Sequence, residues 1–288
     1  MTTTIIPSAK TTIQLTATLL SPFHHGAGSS GNTSLLRTQD VVQPDGTVAY
    51  VPFLSAASIR HALRDALAWH TANTIGIEYH SLTKTAVDLL WTGGAVSSTG
   101  AKTDLEMMRR VEEQYPILST LGYAAQSDII TGTLRASDMI LVCKENDFRL
   151  PAELQGAHRA AAYRAEEFGT RHDQATSPAG RYIELADALD TAQMIWDTQV
   201  LATGSRLYGE ITLTPAATDA HQTVLGAALA LWAPERETFL GAKTAQGYGR
   251  ARIDGLDHEA NHKALEELTA QLTEHAAEVR ELINELGK

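Results

Sequence analysis

The chain has 288 residues, of which 43% are hydrophobic and 20% charged, as in ordinary globular proteins with a substantial core. The single cysteine, Cys143, excludes an internal disulfide and any site built from several cysteines. The formal net charge of −11 taken alone argues against nucleic acid as a partner, but residues 257–288 hold eight acids and three bases, whereas residues 239–253 hold three bases and no acid. We find no apolar run long enough to span a bilayer and no secretory signal, so we expect a cytoplasmic protein with no membrane partner.

In the first half of the chain, residues 11–20 alternate apolar and polar side chains, which predicts a half-buried strand. The segment PFHHGAGSSGN (22–32) follows and is expected to be a glycine-rich loop. TQDVVQPDGTVAYV is typical of a hairpin that turns at PDG. Residues 55–72 predict a helix with Ser55 as its N-cap.

In the second half, residues 75–125 are expected to be mostly helical, with one helix that Pro116 ends, and residues 131–143 to form a second strand. Residues 150–200 show no clear periodicity of apolar residues. SRLYGEITLTP and GYGRARIDGL predict a third and a fourth strand on either side of a helix, TDAHQTVLGAALALWAP. One amphipathic helix is expected within residues 257–288. The order of elements predicts an α+β, ferredoxin-like (RRM-like) βαββαβ fold over residues 1–256, with insertions.

The glycines of the first loop, Gly26, Gly28 and Gly31, have the spacing G-x-G-x-x-G. A dinucleotide loop of this kind must lead from a strand directly into a helix, so that the pyrophosphate lies at the helix N-terminus. Here a predicted hairpin follows instead. A nicotinamide or flavin cofactor is therefore not expected.

Two adjacent histidines, His24 and His25, precede these glycines. On an extended segment they point in opposite directions, and no further cluster of metal-binding residues stands nearby. We expect neither a metal nor a cofactor at this loop.

The helix at 55–72 carries Arg60 and Arg64 one turn apart, with Ser58 and His61 near its start. In a ferredoxin-like fold, this helix start, the first glycine loop and the basic glycine loop at 239–253 can line one groove. Exposed backbone and arginines along a groove suit a phosphodiester chain, although a solvated basic helix face is the alternative.

Three segments, SPFHHGAGSSG, YVPFLSAASIRHALRDAL and FLGAKTAQGYGRARI, resemble motifs of the RAMP superfamily of CRISPR-associated proteins. Within it, the chain is most similar to the type IV backbone subunit. Two departures are Phe53-Leu54 in place of Pro-Gly and His61 in place of a glycine. The resemblance spans residues 22–253 and implies a finger at about 75–125 and a thumb at about 165–197.

The resemblance implies a subunit that binds CRISPR guide RNA and assembles side by side with further copies of itself. It also implies association with other subunits of the effector complex, and with a target nucleic acid through base pairing between guide and target. The RNA-binding residues implied or expected from charge are His25, Gly26, Gly28, Ser58, Arg60, His61, Arg64, Arg171, Arg181, Lys243, Gln246, Tyr248 and Arg250.

Catalysis is a separate question, because similar type III subunits cleave target RNA with an aspartate after the first strand. That position falls near Thr38 in this chain, and Asp40 stands two residues further on. We expect no catalysis. A type III-like ribonuclease using Asp40 is the alternative, and a processing endonuclease using His24 or His25 is a third hypothesis.

Overall fold

The computed structural model describes residues 12–96, 104–171, 181–182 and 194–288. The strands are β1 (Thr12–Leu19), β2 (Gly26–Ser30), β3 (Thr33–Leu36), β4 (Thr38–Val42), β5 (Val48–Leu54), β6 (Tyr123–Ala125), β7 (Asp128–Ile130), β8 (Leu134–Ala136), β9 (Met139–Leu141), β10 (Arg164–Arg171), β11 (Met194–Leu201), β12 (Arg206–Leu213), β13 (Glu237–Phe239) and β14 (Arg250–Asp254). The helices are α1 (Ala56–Thr74), α2 (Lys84–Thr92), α3 (Leu105–Gln114), α4 (Pro116–Leu121), α5 (Asp219–Trp232), α6 (His258–Glu274) and α7 (Ala276–Leu286). None of these helices is long and apolar enough to cross a membrane.

A large antiparallel sheet has the order β13-β14-β1-β12-β9-β5-β4, with β8 also paired to β12. Strand β1 lies at its centre, between β12 and β14. The alternation predicted from the sequence is present there, because Leu15, Ala17 and Leu19 are buried while their neighbours are less so. The predicted strand at 131–143 is interrupted at Ser137-Asp138 and forms both β8 and β9.

The helices cover this sheet and share one hydrophobic core with it. Helix α1 packs against α2 and α5, and α5 packs against α6. Pro116 does not simply end a helix, because it also starts the next one, α4, where the missing amide proton costs nothing. The fold is therefore mixed α and β, as the order of elements predicts.

The C-terminal segment forms two helices rather than the one that was predicted. The break lies at His275, whose backbone (φ −105°, ψ 25°) leaves the α-helical region between α6 and α7. Apolar periodicity continues across this break, which is why the sequence pattern did not reveal it. The buried apolar residues of both helices belong to the same core as the sheet; they are Leu268, Leu272, Val279, Leu282, Ile283 and Leu286.

A second sheet has the order β10-β11-β3-β2 and corrects the expectation of a first glycine loop. Residues 26–36 form a β-hairpin, β2–β3, in which the register shifts between Gly26 and Ser29. Gly28 lies at this irregularity with φ +101°, and Gly31 lies in the turn with φ +59°. These are backbone conformations that side chains other than glycine rarely adopt. Two glycines of the G-x-G-x-x-G spacing, Gly28 and Gly31, thus provide the backbone conformations that the hairpin requires.

Candidate nucleic-acid interface

The first and the last glycine-rich segments lie side by side. The amide of Ala242 donates to the carbonyl of His24 (2.8 Å), and the amide of Gly249 donates to the carbonyl of Pro22 (2.7 Å). A Cβ on Gly241 would lie 2.4 Å from the His24 carbonyl oxygen, so the approach of the two backbones requires glycine. These two segments, which were predicted to be able to line one groove, are therefore in contact.

Both segments border a groove beside the start of α1, with a volume of about 450 Å³. We call it the α1 groove. Its lining carries basic, hydroxyl and aromatic side chains, and no carboxylate among the described residues. It is lined by His25, Arg37, Leu54, Ser55, Ala57, Ser58, Ile59, His61, Ala62, Trp232, Phe239, Leu240 and Gly241.

His25 is the buried polar side chain of the α1 groove, with 9% of its surface exposed. Its Nε2 has no hydrogen-bond partner among the described residues, and its ring lies edge-on to Phe53 with centroids 6.0 Å apart. Burial lowers the pKa of His25, and the nearby Arg37 guanidinium lowers it further. Because Nε2 is itself buried, His25 contributes its ring, and not this nitrogen, to the surface of the groove.

His24, by contrast, has a structural role. Its Nδ1 lies 2.8 Å from the carbonyl of Gln199, and because a carbonyl only accepts, Nδ1 carries the proton. The adjacent histidines therefore do not act as a pair. No cluster of three or more residues able to bind a metal occurs in the part of the chain that the structure describes.

The start of α1 supplies hydroxyls rather than free amides to the groove. Ser55 caps the helix by accepting from the amide of Ser58 (3.3 Å), and the Asp138 carboxylate accepts from the amide of Ala56 (2.7 Å). These contacts use two of the amide donors that the start of a helix otherwise leaves free to bind an anion. His61, one turn further on, is exposed at the edge of the groove.

Arg60 and Arg64 do not line the groove, which corrects the prediction that they hold phosphates. Arg60 donates to the carbonyl of Leu134 (2.7 Å) and to that of Leu121. Arg64 is 8% exposed and donates to the carbonyls of Leu121 (3.2 Å) and Gly122 (2.6 Å). Burial lowers the pKa of Arg64 to about 10. Both guanidinium groups hold the end of α4 against α1. The spacing of two arginines one turn apart is the same on a buried and on an exposed helix face, so the sequence could not reveal this role.

The loop at 239–250 joins the two sheets through its side chains. Lys243 donates to the hydroxyls of Ser34 (3.0 Å) on β3 and Thr198 (2.6 Å) on β11. The Tyr248 hydroxyl lies 3.4 Å from the Glu167 carboxylate on β10. These contacts fix the loop that forms one wall of the groove.

Other predicted residues lie around the groove rather than in it. Arg250 forms an exposed ion pair with Glu237 (2.6 Å), and Gln246 ends an exposed 3₁₀ turn, Thr244–Gln246. Gly26 and Gly28 lie on β2. Arg181 is exposed and contacts the ring of Tyr182, whereas the side chain of Arg171 and residues 172–180 and 183–193 of the predicted thumb lie outside the described residues.

Three residues of the groove were not predicted from the sequence. Arg37 is exposed in the lining, and its Nε donates to the carbonyl of Gly26 (3.2 Å). It is the first base after the glycine segment, a signal that could have been used. Phe239, which is 52% exposed, is the first residue of the segment FLGAKTAQGYGRARI but was not singled out as a site residue, and Trp232 lies outside all three motif segments.

Asp40 and Thr38 lie on β4, paired with Tyr50 and Pro52 of β5 in the predicted hairpin. Asp40 is exposed, and it is not among the residues that line the α1 groove.

No known family model matches the sequence, and no curated protein matches it. Among solved structures, the fold is similar to that of a chain in a structure titled "Type IV-B CRISPR Complex". The TM-score is 0.56 at 20% sequence identity, and the match covers 86% of this chain and 91% of the other. The two chains therefore share a fold over most of their length.

Proposed function

We propose that this chain is a backbone subunit of a type IV-like CRISPR effector complex, which binds guide RNA and oligomerises along it. One observation carries the proposal: the glycine segments and the helix start that resemble RAMP motifs line a single groove, which is free of carboxylates among the described residues. The similarity in fold to a chain of a type IV-B complex supports the same assignment.

The order of the central strands supports a ferredoxin-like palm. In chain order, β1, α1, β9, β12, α5 and β14 follow the pattern βαββαβ, and the corresponding sheet order is β14-β1-β12-β9. On this scheme α2, α3 and α4 belong to the finger, and β10 and β11 form the base of the thumb. The C-terminal helices at 257–288 complete the core of the palm.

The α1 groove would hold the sugar-phosphate backbone of the guide. Arg37 supplies charge to a phosphate, the serine hydroxyls supply hydrogen bonds, and Phe239 offers a face on which a base can stack. None of these contacts reads a base edge, so sequence recognition is left to pairing between guide and target.

We further propose that the subunit does not cleave RNA. A general base must lie about 2.6–3.2 Å from the proton that it removes, and Asp40 is outside the groove lining. The test is a guide-loaded complex incubated with complementary labelled RNA, with and without magnesium. We expect intact RNA. Cleavage that Asp40→Ala abolishes would establish the ribonuclease alternative instead.

Purification of the protein after co-expression with a CRISPR array tests the binding function. We expect small RNA to co-purify with the wild-type protein, and electron microscopy to show filaments of subunits on that RNA. His61→Glu places a carboxylate at the exposed edge of the groove and should remove most of the bound RNA. The matched control, His262→Glu, makes the same change on the exposed face of α6 and should retain it. Absence of RNA from the wild type, or full retention by His61→Glu, would overturn the proposal.

A further inference from the structure

A second hollow, at the other end of α1, contains three aromatic side chains that the RNA-binding function does not use. We propose that this hollow binds an arginine side chain presented by a protein partner. We call it the aromatic hollow. It has a volume of about 690 Å³ and is lined by Trp69, Ala72, Asn73, Gly76, Ile77, Glu78, Tyr79, His80, Leu82, Val87 and Trp91.

The aromatic rings form the walls of the hollow. Trp69 and Trp91 lie edge to face, with centroids 5.2 Å apart and ring planes at 77°. Trp69 is 53% exposed, and Tyr79 is 92% exposed. The exposed face of an aromatic ring attracts a cation, because it carries negative charge density, so the accessible parts of Trp69 and Tyr79 favour a cationic ligand.

The charge of the hollow also favours a cation. Glu78 is its carboxylate, and its lining contains no lysine or arginine. Arg280 lies in the adjoining hollow, where its Nε donates to the carbonyl of Ala276. No ion pair joins Arg280 to Glu78 among the described residues, so this carboxylate is available to a ligand. A phosphate, in contrast, would meet no lysine or arginine in the lining.

The exposure of these aromatics favours a protein as the source of the cation. Exposed tryptophan and tyrosine next to apolar residues such as Val87 are typical of protein interfaces, where they are frequent energetic centres together with arginine. Guanidinium is planar and more weakly hydrated than ammonium, so it can stack on an indole face while it pairs with Glu78. An arginine therefore fits the hollow better than a lysine.

The aromatic hollow is separate from the α1 groove. Trp69 is eight residues beyond His61 on α1, which is about 12 Å along the helix axis. The proposal does not depend on RNA binding, and a change in one site should leave the other unaffected.

Two probes of nearly equal shape, one cationic and one neutral, test the chemistry of the hollow: Nα-acetyl-arginine N-methylamide and the corresponding citrulline amide. We expect the arginine probe, at millimolar concentration, to shift the indole N–H resonances of Trp69 and Trp91 in the NMR spectrum, and the citrulline probe to bind at least several-fold more weakly. Equal responses to both probes, or no response to either, would overturn the proposal.

Variants localise the binding and link it to a partner. Glu78→Gln and Tyr79→Ala change exposed residues and should each weaken binding of the arginine probe several-fold, whereas the control Tyr50→Ala, on β5, should leave it unchanged.

A photo-crosslinking residue at position 79 in the assembled complex should capture a protein at an arginine-containing peptide. Capture of RNA, or of a peptide without arginine, would contradict the proposal. Normal RNA binding by Glu78→Gln and Tyr79→Ala would show that the two sites are independent.

Discussion

Single residues in this chain show how burial decides between chemical and structural roles. Arg64 has the sequence signature of a basic helix face, yet its guanidinium lies inside the protein and binds two backbone carbonyls. His24 and His25 are adjacent and chemically identical, but His24 makes a structural hydrogen bond, whereas Nε2 of His25 is buried without a partner among the described residues. The sequence could predict which residues are near the site, but not the direction of each side chain.

The role of Arg64 can be measured as stability. Arg64→Ala leaves the carbonyls of Leu121 and Gly122 without this donor and should lower the free energy of unfolding by about 1.5–3 kcal/mol in denaturant titrations. The control Arg109→Ala, at an exposed position of α3, should change it by less than about 0.5 kcal/mol. If Arg64→Ala had unchanged stability and weaker RNA binding, the prediction that Arg64 binds a phosphate would be supported instead.

Cys143 should be chemically inert in the folded protein. It is fully buried, and burial together with its hydrogen bond to Glu145 raises the pKa of its thiol to about 12. Because the thiolate is the reactive form, a disulfide reagent should label the protein only after unfolding in denaturant. Rapid, complete labelling of the native protein would contradict this placement.

At the scale of elements, the parts with a local period were predictable and the parts fixed by distant contacts were not. Strands β1, β12 and β14 and helices α1 and α5 follow the apolar pattern of their own residues. The hairpin β2–β3 was missed because its glycines and serines carry no strand pattern. Its pairing with β11 joins residues about 160 positions apart, for example Thr33 and Asp197, and no local signal reveals such a contact.

A close backbone contact within the last glycine-rich segment gives a prediction for Gly249. Gly249 has φ +78°, and a Cβ there would lie 1.9 Å from the carbonyl oxygen of Leu240. Gly249→Ala should therefore lower the free energy of unfolding by about 2–4 kcal/mol and disturb the groove wall. Gly247→Ala is the matched control, since φ is +88° but no atom lies within 4 Å of the added methyl. Its cost should be only about 1 kcal/mol, from backbone strain. Equal effects in thermal unfolding would show that the contact is not required.

At the scale of the whole molecule, one core joins the sheet, the helices that cover it and the two C-terminal helices. Several histidines are packed within or against this core. Burial lowers the pKa of His25, His70 and His221 below the ordinary value of 6.5. In His221, Nδ1 accepts from the amide of Thr218, so Nε2 carries the proton and lies 3.0 Å from the Ser119 hydroxyl. Protonation of Nδ1 would remove the hydrogen bond that caps α5.

This gives stability a defined pH dependence. Below pH 6.5 the unfolded chain binds protons at these histidines more readily than the folded chain does, so the free energy of unfolding falls as the pH is lowered from about 7 to 5. Above pH 6.5 this contribution is fully present. His221→Gln should reduce the slope of stability against pH in this range, measured by denaturant unfolding, whereas the exposed His262→Gln should leave it unchanged. A wild-type stability that rises on acidification would contradict the assignment.

The central claim is that the α1 groove binds the RNA backbone, and the salt dependence of single-stranded RNA binding tests it most directly. Fluorescence anisotropy titrations over a range of salt concentrations give the slope of log K against log salt. Arg37→Gln removes the groove's arginine and should weaken binding and flatten that slope by about 0.7, the value for one lost phosphate contact. The control Arg109→Gln should retain the wild-type slope. An Arg37→Gln protein with wild-type affinity and slope would contradict the account.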